Sequence, residues 1–185
     1  MHDVIVVGGG PAGLSAALFT AKNDLDTVIF DTDETWMHKA HLFNYLGIDS
    51  MDGTEYMEQS REQVEEFGVS LHEGEVTGVE ETTEGFAVET EADDEHEATY
   101  LILAAGAGRS LAEELGCEFT DEEIVDVGVS METSVADAYA TGAMVRAEEW
   151  QAVIAAGDGA AAALNILSKE KGEHFHDFDV PADAE

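Results

Sequence analysis

The stretch Asp3 to Lys22, DVIVVGGGPAGLSAALFTAK, restricts the fold more than any other part of the chain. Val4 to Val7 is a short apolar run rich in β-branched residues, which suits a strand buried on both faces. Gly8, Gly10 and Gly13 follow in G-x-G-x-x-G spacing. In such spacing the first glycine permits a tight turn, the second lets backbone approach a pyrophosphate, and the third lets the helix lie close to the strand. Apolar residues return at Leu14, Ala17, Leu18 and Ala21, so a helix starts at the glycines and points its amino end at the phosphates. A second strand, Thr27 to Phe30, ends in Asp31, about 20 residues past the glycines, where an acid accepts hydrogen bonds from an adenosine ribose. The order of these elements predicts a dinucleotide-binding α/β fold with a Rossmann-like parallel sheet.

The remaining pattern extends that sheet. A polar loop, TDETWMHKAHLFNYLGID, precedes a helix expected over Thr54 to Phe67, with Tyr56, Met57, Ser60, Val64 and Phe67 near one face. Three extended segments, EVTGVEET, GFAVETEA and EHEATYLILAA, are separated by turns at Glu84-Gly85 and Asp93-Asp94 and read as an antiparallel β-meander. The last runs into Tyr100 to Ala105, an apolar strand of the parallel sheet that closes on Gly106. RSLAEELG predicts a short helix, Ile124 to Val127 and Ala138 to Thr141 two further strands, and Trp150 to Ser168 a final helix. Residues 1–168 form one expected domain, and 169–185 an acidic, loosely held tail.

Charge narrows the partners. Forty-two acidic residues against seven basic ones leave a net charge of −35, while 44% hydrophobic content supplies a core. Acids spread along the chain suit a very salty cytoplasm, where ionic strength screens self-repulsion. Too few Lys and Arg exist to neutralise nucleic-acid phosphates. No charged leader with an apolar segment and no bilayer-length apolar run is present, so the expectation is a soluble cytoplasmic protein without a membrane partner. Cys117 stands alone, which excludes an internal disulfide and reads as core packing.

Four stretches together resemble the flavin domain of the thioredoxin reductase group of flavoproteins: GGGPAG at Gly8 to Gly13, NYLG at Asn44 to Gly47, LILAAG at Leu101 to Gly106, and TSVADAYATGA leading to WQAVIAAGDGAAAALNI. The resemblance implies an FAD-dependent oxidoreductase. It places the FAD pyrophosphate on the first stretch, the isoalloxazine beside the second, and a helix amino end against flavin O2 and N1 in the fourth. With the fingerprint residues, the implied cofactor set is Gly8, Gly10, Pro11, Ala12, Gly13, Asp31, Thr32, His41, Asn44, Val76, Ala105, Gly106, Gly142, Ala143, Gln151 and Ala152. Val76 is implied to touch the adenine through its backbone. The chain departs from the group in three ways. Only Ala107 to Glu132 lies where the group inserts an NADPH domain carrying its redox disulfide, Ala143 replaces an Asp, and Trp150 stands where Arg is frequent.

Two features read as decoys. Gly157, Gly159 and Ala162 repeat the fingerprint spacing but lack a preceding strand, so they read as small residues that allow helix packing. His38 and His41 flank Lys39 beside the implied flavin, where a proton donor could sit, yet loop histidines are ordinarily solvated; His174 and His176 read as tail residues, and no metal is expected. The function expected is an oxidoreductase reduced by transient NAD(P)H, a small thiol or an electron-transfer protein, possible as a homodimer. The alternative is a non-catalytic flavin or NAD binding subunit.

Overall fold

The computed structural model describes residues 1–180. Its core is a parallel sheet of β1 (His2–Val7), β2 (Thr27–Asp31), β5 (Ser70–Glu73), β8 (Glu95–Leu103) and β9 (Ala138–Ala140), in the order β5-β2-β1-β8-β9. The short β3 (His41–Leu42) and β4 (Met51–Asp52) pair separately. Val4 pairs with Thr27 on one side and Tyr100 on the other, so β1 is central and its β-branched run is fully buried. Each such Val or Ile contributes about 1.5–3 kcal/mol by leaving water.

The strand period of two sorts β1 between layers. Val4 and Val6 face α1 (Pro11–Lys22), α2 (Gly53–Glu66) and α4 (Ala152–Lys171), whereas Ile5 and Val7 face the meander. The meander is β6 (Val76–Glu81), β7 (Phe86–Thr90) and the first half of β8, antiparallel throughout. β8 joins the two parts because Ala98 pairs with Phe86 and also with His2. Helices α1 and α4 lie in close contact. A Cβ on Gly159 would fall 2.0 Å from the Ala12 carbonyl oxygen, so the second glycine-rich stretch is a packing surface, as its alanine-rich lead-in implied.

Several boundaries differ from expectation. The edge strand β5 escaped notice because its SLHE sequence has no apolar alternation, and only Leu71 is half-buried. Ile124 to Val127 forms no strand; Val125 makes a single bridge to Phe119, and Glu123 at φ +58° turns the chain out of register. Phe67 ends α2 as an exposed cap instead of joining its buried face. α4 continues past Ser168 to Lys171, where Lys169 bonds Asp137 at 2.7 Å and Gly172 at φ +69° stops the helix. The residues beyond it fold back, since Lys22 Nζ donates to Asp177 at 2.7 Å. The rest of the expected tail, 181–185, lies outside the described residues. Among the described residues, no helix is long and apolar enough to cross a membrane.

Candidate functional site

At the carboxyl ends of β1, β2 and β8 lies a cleft of about 550 Å³. Ligands in open parallel sheets bind at such ends. Gly8, at φ +105°, makes the first turn, and a Cβ there would fall 2.3 Å from the Ala104 carbonyl oxygen. Gly10 caps α1 and opens toward the cleft: the nearest atom to a Cβ there is Thr35 Oγ1 at 3.8 Å. Gly13 lies behind, where a Cβ would fall 1.9 Å from the Gly8 carbonyl oxygen. No side chain caps α1, nor does any cap α4, whose N-cap is Gln151. Two helix amino ends with orphan N–H groups thus border one cleft, an arrangement suited to an elongated ligand with anionic or electron-rich groups.

Asp31 is held from two sides. The Gly9 N–H donates to its Oδ1 at 2.9 Å, and Arg61 of α2 pairs with its Oδ2. Arg61 also reaches Asp33 at 3.0 Å, and Asp33 meets His38 Nε2 at 2.9 Å. His38 Nδ1 in turn lies 3.1 Å from Thr54 Oγ1. A carboxylate has about four lone-pair positions, so Asp31 keeps capacity for ribose hydroxyls. Sequence reasoning missed Arg61. Its only signal is that it is one of seven basic residues in an acidic chain, and its Nε is buried with no hydrogen-bond partner in the described structure.

Of the implied cofactor set, all but Gly13, His41 and Asn44 line the cleft. His41 sits on the β3–β4 hairpin, exposed, with Nε2 2.9 Å from Ser50 Oγ. It does not line the cleft. Asn44 Nδ2 donates to Gln151 Oε1 at 2.9 Å, which ties the segment after β3 to the start of α4. Val76 lines the far end beside Gly74 and Glu75. Ala143 lies in a 3-10 turn after Gly142, whose φ is +69°.

Other lining residues are not among the implied cofactor set, although Trp150 stands where the group frequently has Arg. Trp36 and Trp150 meet with ring centroids 5.3 Å apart, and Glu34 and Glu149 stand near them in the chain and on the same cleft. Arg146 points its guanidinium to Asp158 on α4, with Nη2 at 2.5 Å and Nε at 3.2 Å from its carboxylate oxygens. Cys117 is buried against the meander, and burial pushes its thiol pKa up, away from nucleophilic use. Among the described residues, no group of three or more His, Cys, Asp or Glu side chains is arranged to hold a metal ion.

The family described as "Pyridine nucleotide-disulphide oxidoreductase" matches residues 2–108 and 47–160. Thioredoxin reductase of Listeria monocytogenes is 31% identical over 133 residues, 70% of this chain and 40% of that protein. The thioredoxin reductase of Mycolicibacterium smegmatis is 35% identical over 135 residues, covering 70% of this chain and 42% of the relative. The chain therefore spans less than half the length of these relatives. Among solved structures, a thioredoxin reductase from Gloeobacter violaceus superimposes with a TM-score of 0.87 at 21% identity, covering 97% of this chain and 99% of that one. An atypical thioredoxin reductase from Desulfovibrio vulgaris Hildenborough gives 0.85 at 19% identity, over 94% and 99%. These superpositions establish the fold: a Rossmann-like parallel sheet with an antiparallel meander.

Proposed function

This chain belongs to the pyridine nucleotide-disulphide oxidoreductase family, and on that premise we propose that it is an FAD-binding oxidoreductase whose flavin exchanges electrons with diffusing partners. The observation that carries the reading is the convergence of two uncapped helix amino ends, α1 and α4, on one cleft with Asp31 at its edge. In this reading the Gly8–Gly10 turn and the start of α1 hold the pyrophosphate, Asp31 takes the adenosine ribose, and the Val76 backbone meets the adenine. The amino end of α4, with Gln151 and Ala152, supports the far end. FAD, when bound, supplies two-electron chemistry at its isoalloxazine ring. The α4 amino end favours negative charge placed against it, which stabilises a reduced ring electrostatically.

The segment from Ala104 to Asp137, between β8 and β9, contains only one short helix, α3 (Ser110–Glu114), and isolated bridges, which supports a source of electrons other than a nicotinamide domain inserted there. A small thiol, a diffusing reduced nicotinamide or an electron-transfer protein fits that role. Anaerobic stopped-flow reduction tests it. Dithionite should reduce the flavin completely, whereas NADPH should do so slowly and without saturation, because the short segment between β8 and β9 does not hold a nicotinamide close to the flavin. Fast reduction that saturates at micromolar NADPH would contradict the reading. Turnover with an artificial acceptor separates an oxidoreductase from a silent flavin-binding subunit.

A further inference from the structure

One wall of the cleft is the segment that leaves β2. It runs from Thr32, beside Asp31, through Thr35 to Trp36 and Met37 in the 3-10 turn Trp36–Lys39, and Trp36 there meets Trp150 just ahead of α4. The path depends on Asp33, which sits at φ +57°, a conformation uncommon for a residue other than glycine and kept only where its surroundings fix it. Two side chains reach its Oδ1: Arg61 Nη2 at 3.0 Å and His38 Nε2 at 2.9 Å.

The two are not equivalent. Arg61 also pairs with Asp31, so it serves the adenosine end. His38 belongs to the 3-10 turn itself, and its Nδ1 lies 3.1 Å from Thr54 Oγ1 in the first turn of α2. A carboxylate only accepts, so Nε2 donates to Asp33, and Nδ1 of the neutral ring accepts from the Thr54 hydroxyl. Backbone packing brings the same two elements together: the Gly53 N–H donates to the Ala40 carbonyl at 3.0 Å, and a Cβ on Gly53 would fall 1.9 Å from the Met37 carbonyl oxygen. His38, Asp33 and Thr54 do not line the cleft, so whatever His38 does for a ligand passes through the wall.

Resting on the FAD reading of the cleft, we propose that His38 is a positioning residue: by bridging Asp33 to Thr54 it fixes the turn that sets Trp36 against Trp150 around the flavin half of FAD. Arg61 cannot substitute for it, because Arg61 holds Asp33 but has no bond to the turn. With both ring nitrogens engaged, His38 is a strut rather than a freely solvated loop histidine.

The test uses the full chain, FAD-free and reconstituted with FAD. Trp36 and Trp150 are its only tryptophans and their rings touch, so their coupled transitions should give an exciton signal in circular dichroism, which Trp36→Phe should remove. In His38→Leu that signal should collapse and half-saturation for FAD should rise by about fivefold, while the thermal midpoint of the FAD-free chain, read on the helix signal, stays near the parent's. Thr54→Val should reproduce both losses and add little to His38→Leu, since either change breaks the same bridge. Thr54→Ser keeps the hydroxyl and should match the parent. Either reading left unchanged in His38→Leu would overturn the proposal: an intact exciton signal leaves the turn to its backbone contacts, and intact FAD affinity leaves the wall without a role. If His38→Leu does not fold, the contrast between Thr54→Val and Thr54→Ser decides by the same two readings. A parent chain that takes up no FAD defeats the cofactor reading and the role toward FAD with it, whereas the exciton signal of the FAD-free chain still decides whether His38 holds the turn.

Discussion

The two ends of the cleft are built by different means. At the β1–α1–β2 end, the site is backbone: a glycine turn at φ +105°, an uncapped helix and a carboxylate pinned by Gly9 N–H and Arg61. At the α4 end it is assembled from segments distant in sequence, through Asn44 with Gln151 and Trp36 with Trp150, and Ala143 offers no side-chain oxygen. The difference teaches that affinity and chemistry are separable here. In the proposed reading the first end anchors a dinucleotide through backbone geometry that leaves no room for a side chain at Gly8 or Gly13, and the second can change its side chains and so its reaction partner.

The largest expected effect comes from attacking the backbone end. Gly10→Val places a branched side chain where the cleft opens, so purified variant should contain no FAD while its circular dichroism stays that of a folded chain. Wild-type FAD stoichiometry in that variant would erase the contrast between the ends. Next in size is Arg61→Met. Removing the guanidinium leaves Asp31, mostly buried, beside Asp33 without its cation. Breaking this partly exposed pair should cost about 1–2 kcal/mol, seen as a lower thermal midpoint and FAD binding weakened by about tenfold. The flavin band should keep its position, because the change lies at the other end.

A smaller effect should come from adding what the α4 end lacks. Ala143→Asp restores a hydrogen-bonding carboxylate and should tighten FAD by about 1 kcal/mol, measured by titration, with a shift of the flavin band that Arg61→Met does not produce. The least selective effect is that of salt. With a net charge of −35, molar KCl should raise the thermal midpoint through screening, and it should do so equally for parent and Ala143→Asp.

The same contrast explains what could be read from the amino-acid sequence. The fingerprint, the first helix and Asp31 were legible because each follows from local pattern within about 30 residues. The meander was legible because its turns fall at Gly85 and at Asp93, which adopts φ +58°. Arg61 was not legible: its partner lies on another element, and no helical spacing on α2 singles it out. That His41 stands exposed on the β3–β4 hairpin and does not line the cleft was not legible, because a loop residue next to NYLG carries no sign of which way the hairpin turns. The meeting of Trp36 with Trp150 depends on where β2 ends and α4 begins in space, which periodicity does not encode.

The central claim is that one cleft, running from Val76 past the glycine turn to Gln151, holds FAD. The most direct test is to reconstitute the purified chain with excess FAD, remove what is unbound, release the remainder by heat and identify it by chromatography. The account predicts FAD at about one per chain, reflecting a single site that needs both the adenosine and the flavin halves. Recovery of FMN alone, of NAD alone, or of no cofactor after reconstitution would contradict it.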